Sequence, residues 1–456
     1  MRDALLLSLM LLAASAWAAE PEADAGVEVP EGLYEPESPE DKGLEARVAA
    51  LEESLAQTKA VTERLTQQLE AASALQVQFS GYLDVGFFWA GGDGSGVRPD
   101  YRRQVPGTED LLTSWVLIGD PLSTAINSRG DVADLGASRA IRFDPIHSQG
   151  RPSFLINALN LGLSGGIGDE VIFAAMIDFI PRDALLTGAA LGDFIDVKLA
   201  YAKWERKFGT VRFALSAGKF DALHGLEYRA QEANTRLTVT PSLLCRYTCG
   251  RAIGLKAQLF LLDGALEAAL ALTNGSNQHE LFPWGSETDW NGFKTVSARL
   301  LARSGQFEAT VSGAVGAQDR QPDDSLMQWH VGVGARLVVS SLLLQAEVAG
   351  GRAPGKAEGG VACAAASCLV YLGAYLMAGY KIAGLVTPFA RADWRVGSMR
   401  AGRQYAYESN ELRTTLGARV EPVKRLTLKA EYTFNAELFG QAFDNDVFTS
   451  SIVVAW

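Results

Sequence analysis

Residues 426–437 read LTLKAEYTFNAE, and this stretch alternates strictly between apolar and polar side chains. The apolar positions are Leu426, Leu428, Ala430, Tyr432 and Phe434, and the polar positions between them include Thr427, Lys429, Glu431 and Thr433. Successive side chains of a β-strand point to opposite faces, so the pattern predicts a strand with one apolar and one polar face. The apolar face must be buried either in a protein core or against lipid.

The same alternation recurs in about sixteen segments after residue 75, and each segment predicts a strand. The predicted strands span 76–90, 152–166, 169–181, 193–207, 210–221, 251–263, 265–274, 292–303, 306–317, 327–340, 342–351, 369–382, 385–397, 409–421, 425–437 and 446–456. Tight links such as Asp263-Gly264 and Ser304-Gly305 alternate with long links such as 91–151 and 222–250. An even strand number with short turns at one end and long loops at the other is typical of an outer-membrane β-barrel.

A soluble β-sandwich or propeller would also alternate, but it would not require long and short links to alternate. A soluble fold would also not require lysine and arginine to be absent from one face of every strand. A membrane barrel does require this, because a Lys or Arg that faces lipid at mid-membrane costs about 2–4 kcal/mol. A closed barrel also pairs every backbone group that lies in lipid. The sequence therefore predicts an all-β fold, a 16-stranded antiparallel transmembrane β-barrel over 76–456, with an N-terminal helical coiled coil.

The segment ahead of the barrel divides into three parts. Arg2, an apolar run and Ala16-Trp17-Ala18 predict a signal peptide over 1–18, and Glu, Pro and Gly predict a disordered acidic linker over 19–42. Apolar residues at steps of three and four predict a coiled coil over 43–75, placed in the periplasm, with a single amphipathic helix as the alternative.

The distribution of charge and the spacing of the cysteines limit which partners and metals the chain can bind. The formal net charge is −12, but residues 19–75 alone hold 14 acidic against 4 basic residues, so the barrel segment is nearly balanced. This balance argues against nucleic acid as a partner. The two close pairs Cys245/Cys249 and Cys363/Cys368 predict short-range disulfides rather than a metal site, since their spacing matches no standard zinc pattern. No cofactor is expected.

The stretch GKFDALHGLEYRAQEANTRLTVTPSLLCRYTCGRAIGLK, which begins at Gly218, resembles the fifth strand and third loop of the phosphate-selective-type porins and the related OmpL-like porins. That resemblance implies a trimeric, 16-stranded, water-filled channel in the outer membrane, whose third loop folds inward. It also implies a basic lining, carried by position onto Lys219, Arg229, Arg236, Arg246 and Arg251, with Glu227 as a balancing acid. Either 91–151 or 222–250 would form the constriction.

The strand register adds five further candidates for the pore lining, namely Arg336, Arg391, Arg395, Arg413 and Lys429. Such charges would otherwise pair with one another and simply keep the lumen wet. The expected function is passive diffusion of small hydrophilic solutes or ions with a weak preference for anions, by a homotrimer surrounded by outer-membrane lipid. The alternatives are a barrel that anchors the envelope through its coiled coil, and an outer-membrane barrel enzyme, although no catalytic motif is present in the sequence.

Overall fold

The computed structural model describes residue 59 and residues 75–90, 152–168, 170–179, 195–227, 232–275, 291–318, 323–366, 368–401, 404–438 and 446–456. The chain divides into two units, Met1–Leu69 and Glu70–Trp456. In the first unit Lys59 is helical. The predicted signal peptide and linker, the long link 91–151, and the coiled coil apart from Lys59 and Leu75 lie outside the described residues.

Strands account for most of the described residues of the second unit. They are β1 Leu75–Ala90, β2 Ser153–Ile167, β3 Val171–Phe179, β4 Ile195–Phe208, β5 Val211–Asp221, β6 Arg251–Leu261, β7 Leu266–Thr273, β8 Thr295–Ser304, β9 Phe307–Ala317, β10 Met327–Val339, β11 Leu342–Ala353, β12 Lys356–Glu358, β13 Val361–Ala366, β14 Cys368–Tyr380, β15 Val386–Ala401, β16 Gln404–Val423, β17 Leu426–Glu437 and β18 Val447–Ala455. A one-turn helix, α1, spans Cys245–Thr248, and a 3₁₀ turn spans Leu262–Gly264. No helix among the described residues has the length and apolarity needed to cross a membrane.

Sixteen of these strands close into one antiparallel barrel, while β12 and β13 form a separate hairpin between β11 and β14. The barrel closes where β1 pairs with β18, and the backbone N–H of Trp456 donates to the carbonyl of Gly81 at 3.1 Å. A Cβ at Gly81 would lie 2.2 Å from the carbonyl oxygen of Asn160 and 2.6 Å from the Trp456 ring, so the seam requires glycine there.

The predicted sixteen-stranded antiparallel barrel is confirmed, and most strand ends agree within three residues. The largest difference is at β15 and β16, which form a hairpin that extends to Ala401 and Gln404 instead of ending near 397 and 409. Tight turns use backbone with positive φ, as at Gly305 and at Ala383-Gly384. These are conformations that glycine adopts without strain.

The barrel has its polar side chains inside and its apolar side chains outside. In β17 the side chains of Lys429, Glu431 and Thr433 are at most 3% exposed, whereas Tyr432 and Phe434 are 37% and 45% exposed. Soluble proteins bury apolar residues and rarely expose a continuous apolar surface. The apolar face of the stretch LTLKAEYTFNAE therefore points out of the barrel, as a lipid-facing wall requires.

Candidate functional site: the lumen and its inner loop

The long connection between β5 and β6, residues 222–250, is called here the inner loop, because its described residues lie in the lumen. Its described parts are a first arm, 222–227, and a second arm, 232–250. Leu223, Leu244 and Tyr247 are at most 1% exposed. Both arms contact inward-facing side chains on many strands of the barrel. The inner loop therefore occupies space that the barrel would otherwise leave open.

Glycines on the inward face of the wall make room for the inner loop. A Cβ at Gly334 would lie 3.1 Å from Leu226 Cβ, and one at Gly373 would lie 3.1 Å from Leu244 Cδ1. At Gly397 it would lie 3.3 Å from the hydroxyl of Tyr247. Side chains at these strand positions would push the loop away from the wall, so the glycines fix how closely it approaches.

The first arm is held by Glu347 of β11. Its two carboxylate oxygens accept the backbone N–H groups of Leu226 and Glu227 at 3.0 and 3.1 Å, and the hydroxyl of Tyr375 donates to it at 3.1 Å. The N–H of Gly225 donates to Ser312 Oγ of β9 at 3.0 Å. A buried carboxylate is tolerated when hydrogen bonds satisfy it, and here peptide groups supply them.

The second arm is held in the same way by Glu431 of β17. The N–H groups of Val239 and Thr240 donate to its two carboxylate oxygens at 2.7 Å each. On β15, Asp393 accepts the N–H of Leu243 at 3.3 Å. The barrel wall therefore offers carboxylates to inner-loop amides from three separate strands.

Cationic side chains on the wall bind the carbonyls of the second arm. Arg391 donates to the carbonyl oxygens of Thr240 and Pro241 at 2.8 Å each. Lys429 donates to those of Ala233 and Thr238 at 2.5 and 3.2 Å. A third cation, Arg419 of β16, donates at 2.8 Å to each of two further carbonyls, those of residues 234 and 236.

The end of the second arm is α1, which is closed by the disulfide Cys245–Cys249. Its Tyr247 ring stacks on Tyr371 of β14, with ring centroids 3.7 Å apart and planes 10° from parallel. The guanidinium carbon of Arg395 lies 5.8 Å from the centroid of the same ring. The short helix is thus held against the wall by aromatic contact as well as by hydrogen bonds.

Glu232 opens the described part of the second arm and joins three strands. Its carboxylate accepts the hydroxyl of Tyr82 at 2.8 Å and lies 2.7 Å from both Lys198 Nζ and an Arg251 nitrogen. Burial opposes ionisation of this carboxyl group, but Lys198 and Arg251 outweigh burial and lower its pKa to about 2. Glu232 is therefore ionised at neutral pH and neutralises two of the lumen's cations.

A buried histidine pair lies between the first arm and β10. The rings of His224 and His330 are 6.1 Å apart by centroid, with His224 Nδ1 3.4 Å from Ser312 Oγ and His330 Nδ1 3.2 Å from the hydroxyl of Tyr371. Burial lowers the pKa of His224 to about 4. The imidazole of His224 is therefore neutral at pH 7 and packs as an uncharged side chain.

The structure places the predicted lining residues in three settings. Arg391 and Lys429 bind the inner loop, as described above, and both are at most 3% exposed. Arg395 pairs with Glu411 at 3.1 Å, and Arg413 donates to Asn435 at 2.8 Å. All four cations are buried on the inner side of the barrel wall. Two of them bind the inner loop, and the other two bind side chains of neighbouring strands.

The remaining candidates lie on or beside the inner loop. Glu227 accepts the N–H of Ser242 at 2.9 Å and its hydroxyl, which joins the two arms, and Arg251 pairs with Asp221 at 3.0 Å. Arg236 donates through Nε to the carbonyl of Thr238 at 3.3 Å. Lys219 is half-buried on β5, at the alternate positions of the exposed Leu215 and Ala217, which face out of the barrel. The side chain of Arg246 on α1 is not among those described, and Arg229 lies outside the described residues.

Arg336 on β10 differs from the other cations. It lines a cavity of about 150 Å³ between the inner loop and β9–β15, together with Arg236, Glu308 and Tyr375. It forms no hydrogen bond or ion pair with any residue that the structure describes. In the sheet register it lies between Glu308 of β9 and Gln345 of β11.

Both predicted cysteine pairs are disulfides in the structure, Cys245–Cys249 in the inner loop and Cys363–Cys368 beside the β12–β13 hairpin. Sequence reasoning missed the glycine positions and the peptide-binding role of Glu347 and Glu431. The inward glycines were visible as Gly at alternate positions in the strands, but their meaning depends on which loop faces them.

A closed sixteen-stranded barrel with a polar, loop-containing lumen and an apolar exterior defines the fold of a porin-like outer-membrane channel. The outer membrane channel DcaP of Acinetobacter baumannii is similar, with a TM-score of 0.52 and 12% identity over 84% of this chain and 98% of that one. Salmonella typhi OmpF, in a complex with daunomycin, is similar with a TM-score of 0.50 and 11% identity over 84% of this chain and 98% of that one. No protein-family model matches the chain, and no curated protein matches it in sequence.

Proposed function

We propose that this protein is an outer-membrane channel for the passive diffusion of small hydrophilic solutes and ions. The observation that carries the proposal is the inner loop, which wall carboxylates and cations hold inside a polar lumen. Sixteen-stranded barrels are wide enough to leave an aqueous path unless something fills them. A loop fixed within such a barrel narrows the path, and in this proposal it sets the size limit for solutes.

A weak preference for anions is part of the proposal, and Arg336 is its main support. Most other described cations of the lumen are already neutralised by carboxylates or bound to inner-loop carbonyls. A charge that has a protein partner contributes less to the field that a passing ion experiences. Arg336, which has no such partner among the described residues and lines a cavity, would act on solutes directly.

The assembly and the subtype are also proposals. We propose a homotrimer in the outer membrane with residues 43–75 as a periplasmic coiled coil behind an acidic linker, on the evidence of the heptad pattern. The phosphate-selective-type or OmpL-like subtype rests on the stretch from Gly218 to Lys256 and its inward loop. We propose no catalytic activity and no cofactor.

Planar-bilayer recording of the refolded full chain tests the channel. We expect stepwise conductance and, in a salt gradient, a reversal potential whose sign indicates that anions pass more readily than cations. Arg336→Gln should move the reversal potential towards cations, whereas Arg352→Gln, on the outward face of β11, should leave it unchanged. Folded protein that gives no conductance steps would refute the channel, and a clear cation preference of the unmodified chain would refute the anion preference.

A further inference from the structure

One arginine at the outer surface of the barrel faces away from the lumen. Arg352 is exposed near the end of β11 and forms no hydrogen bond or ion pair with any described residue. In the sheet register it lies between Trp329 of β10 and Val370 of β14, which are 47% and 51% exposed. Tryptophan and arginine side by side on a lipid-facing wall are typical of the membrane–water interface.

Directly beside Arg352, towards the middle of the wall, the outward face has a gap. The next row of the sheet is Val331, Gly350 and Leu372, so the position in line with Arg352 has no side chain. A groove of about 450 Å³ lies here, and the exposed side chains of Val331 and Leu372 form its sides. It continues along β11 to Val348.

The groove has the dimensions and chemistry of a lipid chain with an anionic head. The five residues from Val348 to Arg352 span about 14 Å at the usual rise of a strand, which is enough for roughly ten methylene groups. Between its ends the exposed side chains that line the groove are aliphatic, namely Val331, Val333, Val348 and Leu372, and Trp329 lies beside Arg352 at one end. The guanidinium at one end matches a phosphate, which it can bind through two parallel hydrogen bonds.

The position of Arg352 along β11 indicates which leaflet of the membrane surrounds it. β11 runs from a tight turn near Ser341 towards the long connection that carries the β12–β13 hairpin, so Arg352 lies at the long-loop end of the barrel. In outer-membrane barrels the long loops are extracellular. A lipid at this end is an outer-leaflet lipid, and the anionic lipids of that leaflet are phosphorylated glycolipids.

We propose that the outward groove over Gly350 binds one acyl chain of a phosphorylated glycolipid, with Arg352 holding its phosphate and Trp329 beside the head group. The proposal depends on the barrel being in a membrane but not on conduction. Failure to detect ion conductance would leave it standing, and loss of lipid binding would leave the channel standing.

The chain contains a matched groove that lacks the cation. Gly313 of β9 flanks Val331 on the other side, in the same row as Gly350, and it opens on a groove of about 520 Å³. In line with Gly313, in the row of Arg352, the residue is Val315. The two grooves have Val311 in common, and the groove at Gly313 has no exposed arginine among its lining residues, since Arg299 is buried.

The test is native mass spectrometry of the detergent-folded full chain titrated with bisphosphorylated lipid A and with its dephosphorylated form. We expect one tightly bound lipid A, weaker binding of the dephosphorylated form, and about tenfold or greater loss of affinity in Arg352→Gln, because a hydrogen-bonded charge pair is removed. Gly350→Val should weaken binding by filling the groove. Gly313→Val should not, although its Cβ is similarly crowded, 3.1 Å from a strand carbonyl as at Gly350.

Equal affinity in the unmodified chain and Arg352→Gln, or equal affinity for the two lipid forms, would overturn the proposal. Equal effects of the two glycine substitutions would also overturn it. If lipid A does not bind while Gly350→Val changes the oligomer mass, the groove is instead a contact between copies of this chain, and the glycolipid assignment is wrong.

Discussion

The sharpest prediction concerns Glu431, whose carboxylate holds the amides of Val239 and Thr240 at 2.7 Å each. Glu431→Gln keeps the volume of the side chain but removes its charge and replaces one acceptor oxygen with a donor. Two hydrogen bonds to a charged acceptor, worth about 1.5–3 kcal/mol each, become one neutral bond of about 1 kcal/mol beside an unsatisfied amide. The net loss is therefore about 3 kcal/mol.

A loss of this size raises the ratio of detached to docked loop at these residues by roughly a hundredfold, since 1.4 kcal/mol corresponds to a factor of ten. Hydrogen exchange measured by mass spectrometry should show peptides over 232–243 exchanging about a hundredfold faster, whereas the amides of Leu226 and Glu227, held by Glu347, keep their protection.

The matched control is Thr433→Val, two residues further along the same strand. Thr433 faces inward, is fully buried, and its hydroxyl has no hydrogen-bond partner among the described residues. Its replacement should leave exchange in the inner loop unchanged. Unaltered protection of Val239 and Thr240 in Glu431→Gln would show that the carboxylate does not hold the loop, and the interpretation of the wall charges as anchors would then be wrong.

Two further predictions address the fit and the pH response of the inner loop. Gly373→Val should lower the free energy of unfolding by about 1–3 kcal/mol, because the added side chain overpacks against Leu244, 3.1 Å from the added Cβ. Thermal unfolding measures this loss, and an unchanged unfolding temperature would contradict it. Because burial lowers the pKa of His224 to about 4, its contribution to stability is complete above about pH 6.5 and decreases below it, by about 2 kcal/mol at pH 5. The unfolding temperature should therefore fall more between pH 7 and pH 5 in the unmodified chain than in His224→Gln. An equal fall in the two proteins would exclude this histidine as the cause.

The barrel could be predicted because its determinants are local. A two-residue period such as that of Leu426, Leu428 and Ala430 specifies a strand and the direction of each side chain. Tight links such as Asp263-Gly264 specify hairpins, and together with the long links they specify the even strand number and the two ends. Burial in β17 follows this register, as at Lys429 and Phe434.

The inner-loop anchors could not be predicted, because their partners are backbone groups far away in sequence. Glu431 accepts amides 191 and 192 residues away, and Glu347 accepts amides 120 and 121 residues away. Every residue except proline offers such an amide, so nothing in the loop sequence marks which one a carboxylate will bind. The alternation over 426–437 placed Glu431 on the polar face, but whether such an acid faces water or a peptide depends on the path of the loop.

The wall anchors also change how a porin-like lumen should be evaluated from its charges. A count of inward cations treats Arg391, Arg395, Arg413 and Lys429 as contributors to an anion-attracting field. In the structure each has protein acceptors, and their charges stabilise carbonyl groups and carboxylates of the protein itself. A charge paired in this way acts on a passing ion as one end of a dipole, whose field decreases faster with distance than that of an isolated charge. Selectivity should therefore depend on the few cations without such a partner, and this is why a single substitution at Arg336 is expected to move the reversal potential.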